Sequence, residues 1–312
     1  MRVDAVVVNW NQAELTRACV QSLSDGLLRP RSIFVVDNGS RQDPAPLLGG
    51  IGAQVRVLYH ERNLGFAAGA NSGIRAALAE GADAVFLINN DAVAAPECLT
   101  RLVEVLEADP QLAAVGAKTL TQEEPPRIHT AYGVLTYHGP LVQQRGWMEP
   151  DVSQHSEEVD VDYVSGCAML LRSRALYDVG LFDEEFFAYH EDLDWCVRAR
   201  AAGYRVRYAP CAIVYHRMHA STGGGYLSPI TYLSARNAIL FVRKNAPARL
   251  QAKYAAHLIV NLCKDAWLRY RRRELPGFRL RLRGIRDGLL RRPVPLAELG
   301  LDGRVPQERG PR

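Results

Sequence analysis

Four apolar runs separated by helix-like segments constrain what the first third of this chain can fold into. The runs at 3–8, 32–36 and 83–88 are continuous and rich in β-branched residues, and the run at 54–59 partly alternates. Runs of this length and composition are typical of strands buried on both faces of a sheet. Helical spacing of apolar residues, or a high alanine content, marks the segments that follow them. This alternation predicts an α/β fold with a parallel sheet that is covered on both faces by helices.

The elements of the remaining chain are predicted from turn residues and helical spacing. Residues 121–160 are polar, contain Pro125-Pro126 and are expected to form loops with an antiparallel excursion. Helices are predicted at 14–23, 66–80, from Pro96 to just before Pro110, at 191–202, 231–245 and 249–273, with a break at Pro276-Gly277. Further strands are predicted at 161–171, 205–209 and 212–215.

The six cysteines are scattered, and none belongs to a CxxC pair. This spacing argues against a zinc finger and a disulfide scaffold and is typical of a protein in a reducing cytosol. The apolar run that begins the chain stops at Asn9, which is too short for a signal peptide. No stretch reaches the roughly 18 apolar residues of a membrane span. We therefore expect a cytoplasmic protein.

Charge is divided unevenly along the 312 residues. Residues 1–240 contain 20 Lys and Arg against 28 Asp and Glu, whereas residues 241–312 contain 18 against 6. We therefore predict an acidic domain at 1–240 and a basic amphipathic helical extension at 241–312. The acidity of the first part argues against nucleic acid as a partner. The extension suits an anionic membrane surface, but a helix that packs on the domain and shows its arginines to water predicts the same amphipathicity.

Polar clusters follow three of the predicted strands, at Asn9, at Asp37-Asn38 and at Asn89-Asn90-Asp91. Ligands of parallel α/β sheets bind at the carboxyl ends of the strands, where these clusters meet. The loop after the first strand lacks the glycines of a dinucleotide fingerprint or a phosphate-binding loop, which excludes both kinds of site there. Asp37 suits a nucleoside base or ribose, although a turn is the more frequent role of an aspartate in such a segment. Asp91 suits a hard divalent cation, and a helix cap is the alternative.

Three carboxylates, Glu191, Asp192 and Asp194, fall within four residues at a predicted helix start. The positive end of a helix favours ionised carboxylates, so we expect bases, with one acid facing a cleft while the others cap or pair. Two histidines, His216 and His219, open a glycine-rich loop that could close over a ligand. Each of them is a candidate ligand and equally a candidate structural residue.

Seven segments, in order over about residues 3–245, resemble the family 2 glycosyltransferases, and most of all their rhamnosyltransferase-like branch. They are VVNWN (7–11), VDNGS (36–40), NLGFAAGAN (63–71), LINND (87–91), GLFDE (180–184), EDLDW (191–195) and YLSARN (232–237). Each segment alone is modest, and their order makes the set specific. The resemblance implies a GT-A fold, a Rossmann-like mixed sheet flanked by helices. It also implies nucleotide-diphospho-sugar donors, a divalent metal and inversion at the anomeric carbon.

The resemblance assigns several residues to the donor. Asp37 would contact the nucleoside base, and Asn63 and the loop at Gly65 would line the nucleotide pocket. Three asparagines from the strand ends would also lie on the donor side: Asn9, Asn89 and Asn90. Two residues of the YLSARN segment would lie near the donor phosphates or the acceptor: Arg236 and Asn237.

The resemblance also assigns the metal ligands and the base. Asp91 matches the final acid of the family's Asp-x-Asp metal motif, in which Asn89 replaces the first acid here. His216 matches a second metal ligand, with His219 as its competitor. Asp192 matches the catalytic base. Asp91 must therefore bear more of the metal binding than in relatives that keep both acids.

These expectations describe an inverting transferase that moves a sugar, with rhamnose from dTDP-rhamnose favoured, to a polysaccharide or lipid-linked glycan on the inner face of the plasma membrane. Mg²⁺ or Mn²⁺ would stabilise the diphosphate leaving group, and an imidazole ligand favours Mn²⁺. One base suffices for a single displacement. The alternatives are a nucleotide-sugar-binding protein without turnover and a sugar nucleotidyltransferase, although the second would be expected to show a glycine-rich basic loop after the first strand.

Overall fold

The computed structural model describes residues 1–52, 54–138, 140–217 and 225–303. Its strands are β1 (Val3–Asn9), β2 (Ile33–Asn38), β3 (Val55–His60), β4 (Ala84–Asn89), β5 (Ala92–Ala94), β6 (Leu112–Thr121), β7 (Ile128–Thr130), β8 (Gly133–Leu135), β9 (Val142–Gln144), β10 (Val159–Asp160), β11 (Ala168–Arg172) and β12 (Arg205–His216). Its α-helices are α1 (Ala13–Ser24), α2 (Ala45–Leu48), α3 (Phe66–Ala79), α4 (Cys98–Ala108), α5 (Ser173–Val179), α6 (Glu191–Ala201), α7 (Pro229–Asn245), α8 (Ala248–Arg271) and α9 (Leu275–Leu289). A short 3₁₀ helix covers Glu184–Phe186.

The first four strands are parallel and lie in the order β3-β2-β1-β4. Every residue of β1 and β2 is buried, as the continuous apolar runs predict. Helix α3 covers one face of these strands, and α1 and α4 cover the other. Helix α3 comes close to β1 because it presents glycine there: a Cβ at Gly73 would lie 2.4 Å from Cγ1 of Val6. This packing brings the first turn of α3 to the edge where β1 and β2 end.

The second half makes the sheet mixed, as the family resemblance implies, rather than parallel as the alternation alone predicts. Strand β11 is antiparallel to both β4 and β6, and β12 is parallel to β6. The prediction of a strand at 161–171 is wrong for residues 161–167, because β11 begins only at Ala168. The two strands predicted around Pro210 form one strand, β12, whose register shifts between Ala209 and Ile213. Proline lacks the backbone N–H that a regular ladder needs, which accounts for a shift there.

The C-terminal helices pack on the rest of the protein through α7. This helix continues without interruption across residues 240 and 241, between which the sequence analysis divides the chain. Helix α9 lies along α7, and the Tyr232 hydroxyl donates a 2.9 Å hydrogen bond to Asp287 between them. The break predicted at Pro276-Gly277 lies a few residues earlier: α8 ends at Arg271, and Pro276 lies in the first turn of α9, where a helix uses no N–H. Across the described ranges, no helix is both long enough and apolar enough to cross a membrane.

Candidate active site

A cavity of about 1010 Å³ lies at the carboxyl ends of β1, β2 and β4. Its walls come from these strand ends, from the segment that leads into α6, and from the C-terminal helices. Seven residues predicted for the site line it: Asn63, Gly65, Asn89, Asn90, Asp91, Asp192 and His216. Four others lie behind its walls: Asn9, Asp37, Arg236 and Asn237.

Asp91 and His216 form a pair at one side of the cavity. Asp91 lies directly before β5, and β5 pairs antiparallel with the end of β12, so that Ala92 lies opposite His216. This pairing brings Oδ1 of Asp91 to 3.0 Å from Nε2 of His216. The other imidazole nitrogen, Nδ1, lies 3.2 Å from Nδ1 of His129, a further cavity residue that the sequence did not single out. His219, the competing candidate, lies outside the described residues.

The pair fits a divalent cation that also binds a ligand phosphate. It offers one carboxylate and one imidazole at the cavity wall, a donor set used for transition metals. Within the described part of the chain, no group of three or more His, Cys, Asp or Glu could hold a metal, so further ligands would come from the donor or from water. Burial opposes protonation of His216, but Cys167 and the Asp91 carboxylate outweigh burial and raise its pKa. A metal at this nitrogen must therefore displace a proton.

Asp192 lies in the first turn of α6, with its carboxylate held at the cavity wall by two backbone groups. Oδ2 accepts a 2.8 Å hydrogen bond from the N–H of Gly166, and Oδ1 accepts a 2.7 Å bond from the N–H of Leu193. Burial raises the pKa of Asp192, and these N–H groups offset part of that effect. A carboxylate with a raised pKa is a stronger base near neutral pH, which suits proton abstraction from a hydroxyl.

The other two acids of the cluster have different environments. Asp194 is fully buried and faces away from the cavity, where it accepts hydrogen bonds from Arg198, Lys244 and Asn245 and so joins α6 to α7. Glu191 is buried at the cavity wall, and burial, followed by the neighbouring Asp192, raises its pKa well above the usual value. At Glu191, burial therefore acts against the ionised form that the helix end is expected to favour.

Arg236 and Asn237 hold the segment that leads into α6. Nδ2 of Asn237 lies 2.7–2.8 Å from the carbonyl oxygens of Phe186, Ala188 and Tyr189. The Arg236 guanidinium donates to the carbonyl of Glu185 at 2.9 Å and to that of Arg292. Both side chains are buried and bonded to this segment, an arrangement that favours a positioning role, and the predicted place near the donor phosphates or the acceptor stays a prediction.

Asn9 and Asp37 are also buried behind the cavity. Nδ2 of Asn9 donates a 2.7 Å hydrogen bond to Oδ1 of Asp37, and Oδ1 of Asn9 accepts a 2.7 Å bond from Thr16. The remaining Asp37 oxygen accepts a 3.2 Å bond from the N–H of Ser40. This network fixes the strand ends and the turn after β2. These hydrogen bonds directly support the interpretation of Asp37 as a turn residue. To contact a nucleoside base, the Asp37 carboxylate would have to accept a further hydrogen bond beside those from Asn9 and Ser40.

Asn38, which the sequence analysis places in the polar cluster after β2 but to which it assigns no role, organises the neighbouring cavity wall. Its Nδ2 donates to Oδ1 of Asn63 at 3.0 Å and to the carbonyl of Gly65 at 2.9 Å. Gly65 has φ +91°, a conformation that favours glycine, directly before α3. Nδ2 of Asn63 donates a 3.0 Å bond to the carbonyl of Leu301. The segment after α9 therefore borders this end of the cavity.

Three residues of the cavity wall each carry a buried polar side-chain atom without a hydrogen-bond partner among the described residues. They are Trp10 (Nε1), His190 (Nδ1) and Glu191 (Oε2). Burial lowers the pKa of His190 to about 4, so its imidazole is neutral at physiological pH. Unpaired buried polar atoms are rare in folded proteins. A bound ligand with several polar groups, such as a sugar nucleotide, could supply partners here.

Comparison with known proteins identifies the family and the fold. Residues 2–229 match the family model described as glycosyltransferase like family 2. The pre-mycofactocin glycosyltransferase of Mycobacterium tuberculosis is 33% identical over 216 residues, which cover 69% of this chain and 42% of that protein. The chain therefore spans less than half the length of this relative. The N-acetylglucosaminyl-diphospho-decaprenol L-rhamnosyltransferase of the same organism is 27% identical over 257 residues, which cover 76% of this chain and 82% of that protein.

Solved structures share the architecture at low sequence identity. The mannosyltransferase PcManGT from Pyrobaculum calidifontis, in complex with GDP-Man and Mn²⁺, superposes with a TM-score of 0.58 at 16% identity. The match covers 92% of this chain and 87% of that chain. The similarity confirms the GT-A fold that the seven sequence segments imply.

Proposed function

We propose that this chain, which belongs to glycosyltransferase family 2, moves a sugar from a nucleotide-diphospho-sugar to an acceptor hydroxyl with inversion. The observation that carries the proposal is a single cavity lined by both Asp192 and the Asp91–His216 pair. Transfer of this kind needs a base for the hydroxyl and a site that stabilises the departing diphosphate. The cavity offers residues for both tasks.

In the proposed reaction, the Asp192 carboxylate accepts the proton of the acceptor hydroxyl as its oxygen attacks the anomeric carbon. The bond from that carbon to the diphosphate oxygen breaks on the opposite face, and the diphosphate leaves with the electron pair. Hydrogen bonds from Gly166 and Leu193 keep the carboxylate in place throughout. Burial raises the pKa of Glu191, which makes this side chain a less suitable nucleophile than an ionised carboxylate. A single displacement, and hence inversion, follows.

Asp91 and His216 would hold the divalent cation, Mg²⁺ or Mn²⁺, and the imidazole favours Mn²⁺. When bound, the metal supplies electrostatic stabilisation of the leaving diphosphate without proton transfer. Two observations support this assignment: the adjacency of the two side chains at the cavity wall, and the Mn²⁺ in the related mannosyltransferase structure.

We further propose rhamnose, from dTDP-rhamnose, as the sugar, and a lipid-linked glycan or polysaccharide as the acceptor. The rhamnosyltransferase among the relatives, whose name includes a diphospho-decaprenol, supports both choices. The C-terminal helices contribute apolar surface to the cavity through Tyr254, Leu258 and Ile285, which suits an acceptor with an apolar part. A lipid-linked acceptor would place the protein in the cytoplasm at the inner face of the plasma membrane.

A donor screen tests this function. The full chain is incubated with Mn²⁺ and each of a set of nucleotide-diphospho-sugars, and the released nucleoside diphosphate is measured. We expect slow release from dTDP-rhamnose with water as acceptor, and faster release when a lipid-linked glycan is added. Donor binding without release from any donor would instead identify a nucleotide-sugar-binding protein. Formation of a sugar nucleotide from a nucleoside triphosphate and a sugar phosphate would identify a nucleotidyltransferase.

A further inference from the structure

Helix α8 carries a continuous apolar stripe that the protein leaves uncovered. Of its 24 residues, only Tyr254 is buried. Four large apolar side chains are mostly exposed: Ile259 (63%), Val260 (52%), Trp267 (61%) and Tyr270 (71%). At 3.6 residues per turn, these positions fall on one side of the helix, together with the exposed Cys263. Exposed apolar patches of this kind mark interaction surfaces.

The opposite side of α8 is already occupied. Tyr254, Leu258 and Asn261 line the active-site cavity, and Leu250 packs against the core. Packing on the domain therefore accounts for one side of the helix only. The sequence leaves open whether the apolar residues of this region pack on the domain or face a partner. In the structure one set of apolar residues packs on the domain, and a different set is exposed on the other side of the helix.

Positive charge lies beside the exposed stripe. Residues 248–273 contain seven Lys and Arg and one acid, Asp265, which is paired with Arg269 and Arg281. Within the described residues, the consecutive Arg271, Arg272 and Arg273 form no ion pair, and the Arg271 guanidinium lies 5.0 Å from the Trp267 ring centre. Lys264 is also exposed, one residue after Cys263. Exposed Trp and aliphatic residues flanked by Arg and Lys are what a helix needs to lie in a bilayer interface.

We infer that the outer side of α8 docks on an anionic lipid bilayer, with the helix in the membrane plane and the active-site cavity on its other side. Each basic residue near such a surface strengthens binding about fivefold, so several together hold a protein of this size there. A second copy of the chain is a less suitable partner for this side of α8, because the unpaired arginines of the two copies would repel one another. The docking itself does not depend on the sugar transferred. Its use in delivering a lipid-linked acceptor rests on the proposed function.

Vesicle co-sedimentation of the full chain tests the inference without sugar nucleotide or acceptor, so that its outcome is independent of catalysis. The chain should pellet with vesicles of phosphatidylcholine and phosphatidylglycerol, less so at high salt, and poorly with phosphatidylcholine alone. The double substitution Ile259→Ser with Trp267→Ser should weaken binding about tenfold or more, since it removes exposed apolar area. The triple substitution Arg271→Gln, Arg272→Gln and Arg273→Gln should abolish the preference for phosphatidylglycerol.

Leu27→Ser with Tyr177→Ser is the matched control, because these side chains are 72% and 66% exposed and lie outside α8. This control should bind vesicles as the unsubstituted chain does, and all variants should melt normally because only exposed residues change. Equal binding by the α8 variants and the control would overturn the inference. A dimer in light scattering that becomes a monomer on substitution of Trp267 would overturn it as well, since the stripe would then be a subunit interface.

Discussion

The side-chain amide of Asn237 lies 2.8 Å from the carbonyl oxygen of Tyr189, three residues before Asp192. Asn237 belongs to α7, so a helix from the C-terminal region sets the path of the segment that presents Asp192, the proposed base. That segment has positive φ at Phe187, Tyr189 and His190, which is strained for residues other than glycine. The hydrogen bonds from Asn237 offset this strain.

Substitution of Asn237 by alanine should therefore lower catalysis as well as stability. We expect the free energy of unfolding to fall by about 1–3 kcal/mol, because buried carbonyls lose their donor. Transfer should fall about tenfold or more in kcat, because the base is misplaced. Asn245→Ala is the control on the same helix, since Asn245 donates to Asp194 and not to the segment. If both variants lose the same activity when assayed well below their melting temperatures, the positioning role is wrong.

Asp192→Asn keeps the shape of the side chain and removes its basicity. We expect transfer to fall by ~10²-fold or more with donor affinity nearly unchanged, as for loss of a general base. Calorimetric donor titration and a transfer assay measure the two quantities separately. Asp194→Asn should mainly lower the melting temperature, because Asp194 is buried among Arg198, Lys244 and Asn245. If Asp192→Asn keeps near-normal transfer and a folded Asp194→Asn variant loses it, the catalytic base is Asp194 and not Asp192.

Donor binding should depend on a divalent metal through Asp91 and His216. Calorimetric titration of the donor should give clearly weaker binding in EDTA than in Mn²⁺, and His216→Ala should remove most of that difference. His219→Ala is the control, because His219 is the competing candidate ligand. Equal donor affinity in EDTA and Mn²⁺ would contradict the metal site, and loss of the metal effect in His219→Ala alone would exchange the two histidines. Metal affinity should also fall at acid pH, since His216 must lose its proton to bind.

Glu191→Gln should change how stability depends on pH. Burial raises the pKa of Glu191 well above 4.5, its ordinary value. Above pH 4.5 the unfolded chain releases this proton while the folded protein keeps it, so Glu191 makes the free energy of unfolding fall as pH rises toward its native pKa. Glutamine cannot release a proton, so the fall should be shallower in the variant. Thermal melts across this range measure it, with the exposed Glu157→Gln as control. Equal slopes for Glu191→Gln and the unsubstituted chain would mean that Glu191 is ionised in the folded protein.

Local sequence patterns predict the first four strands and the helices that cover them. A strand buried on both faces, such as β1, has no solvent-facing positions, so its apolar run is continuous and visible without any structure. The acids at the start of 191–202, the late Arg198 and Arg200 and the following Gly203 likewise predict α6 almost to the residue. Strand β6 escapes prediction, although it is buried throughout, because its alanines, Gly116 and Lys118 interrupt the β-branched pattern.

By itself, the sequence determined that polar residues gather at the carboxyl edge of an α/β sheet, because strand runs and the residues that end them are local features. Only the tertiary structure decided which of these residues reach the cavity. Asp91 meets His216 because β5 pairs with β12, 125 positions later in the chain. Asp192 and Asp194 differ because one faces the cavity and the other faces the cations of α6 and α7. Burial and the pairing of distant residues depend on the order of strands and helices in space. That order cannot be deduced from the local periodicity of the sequence.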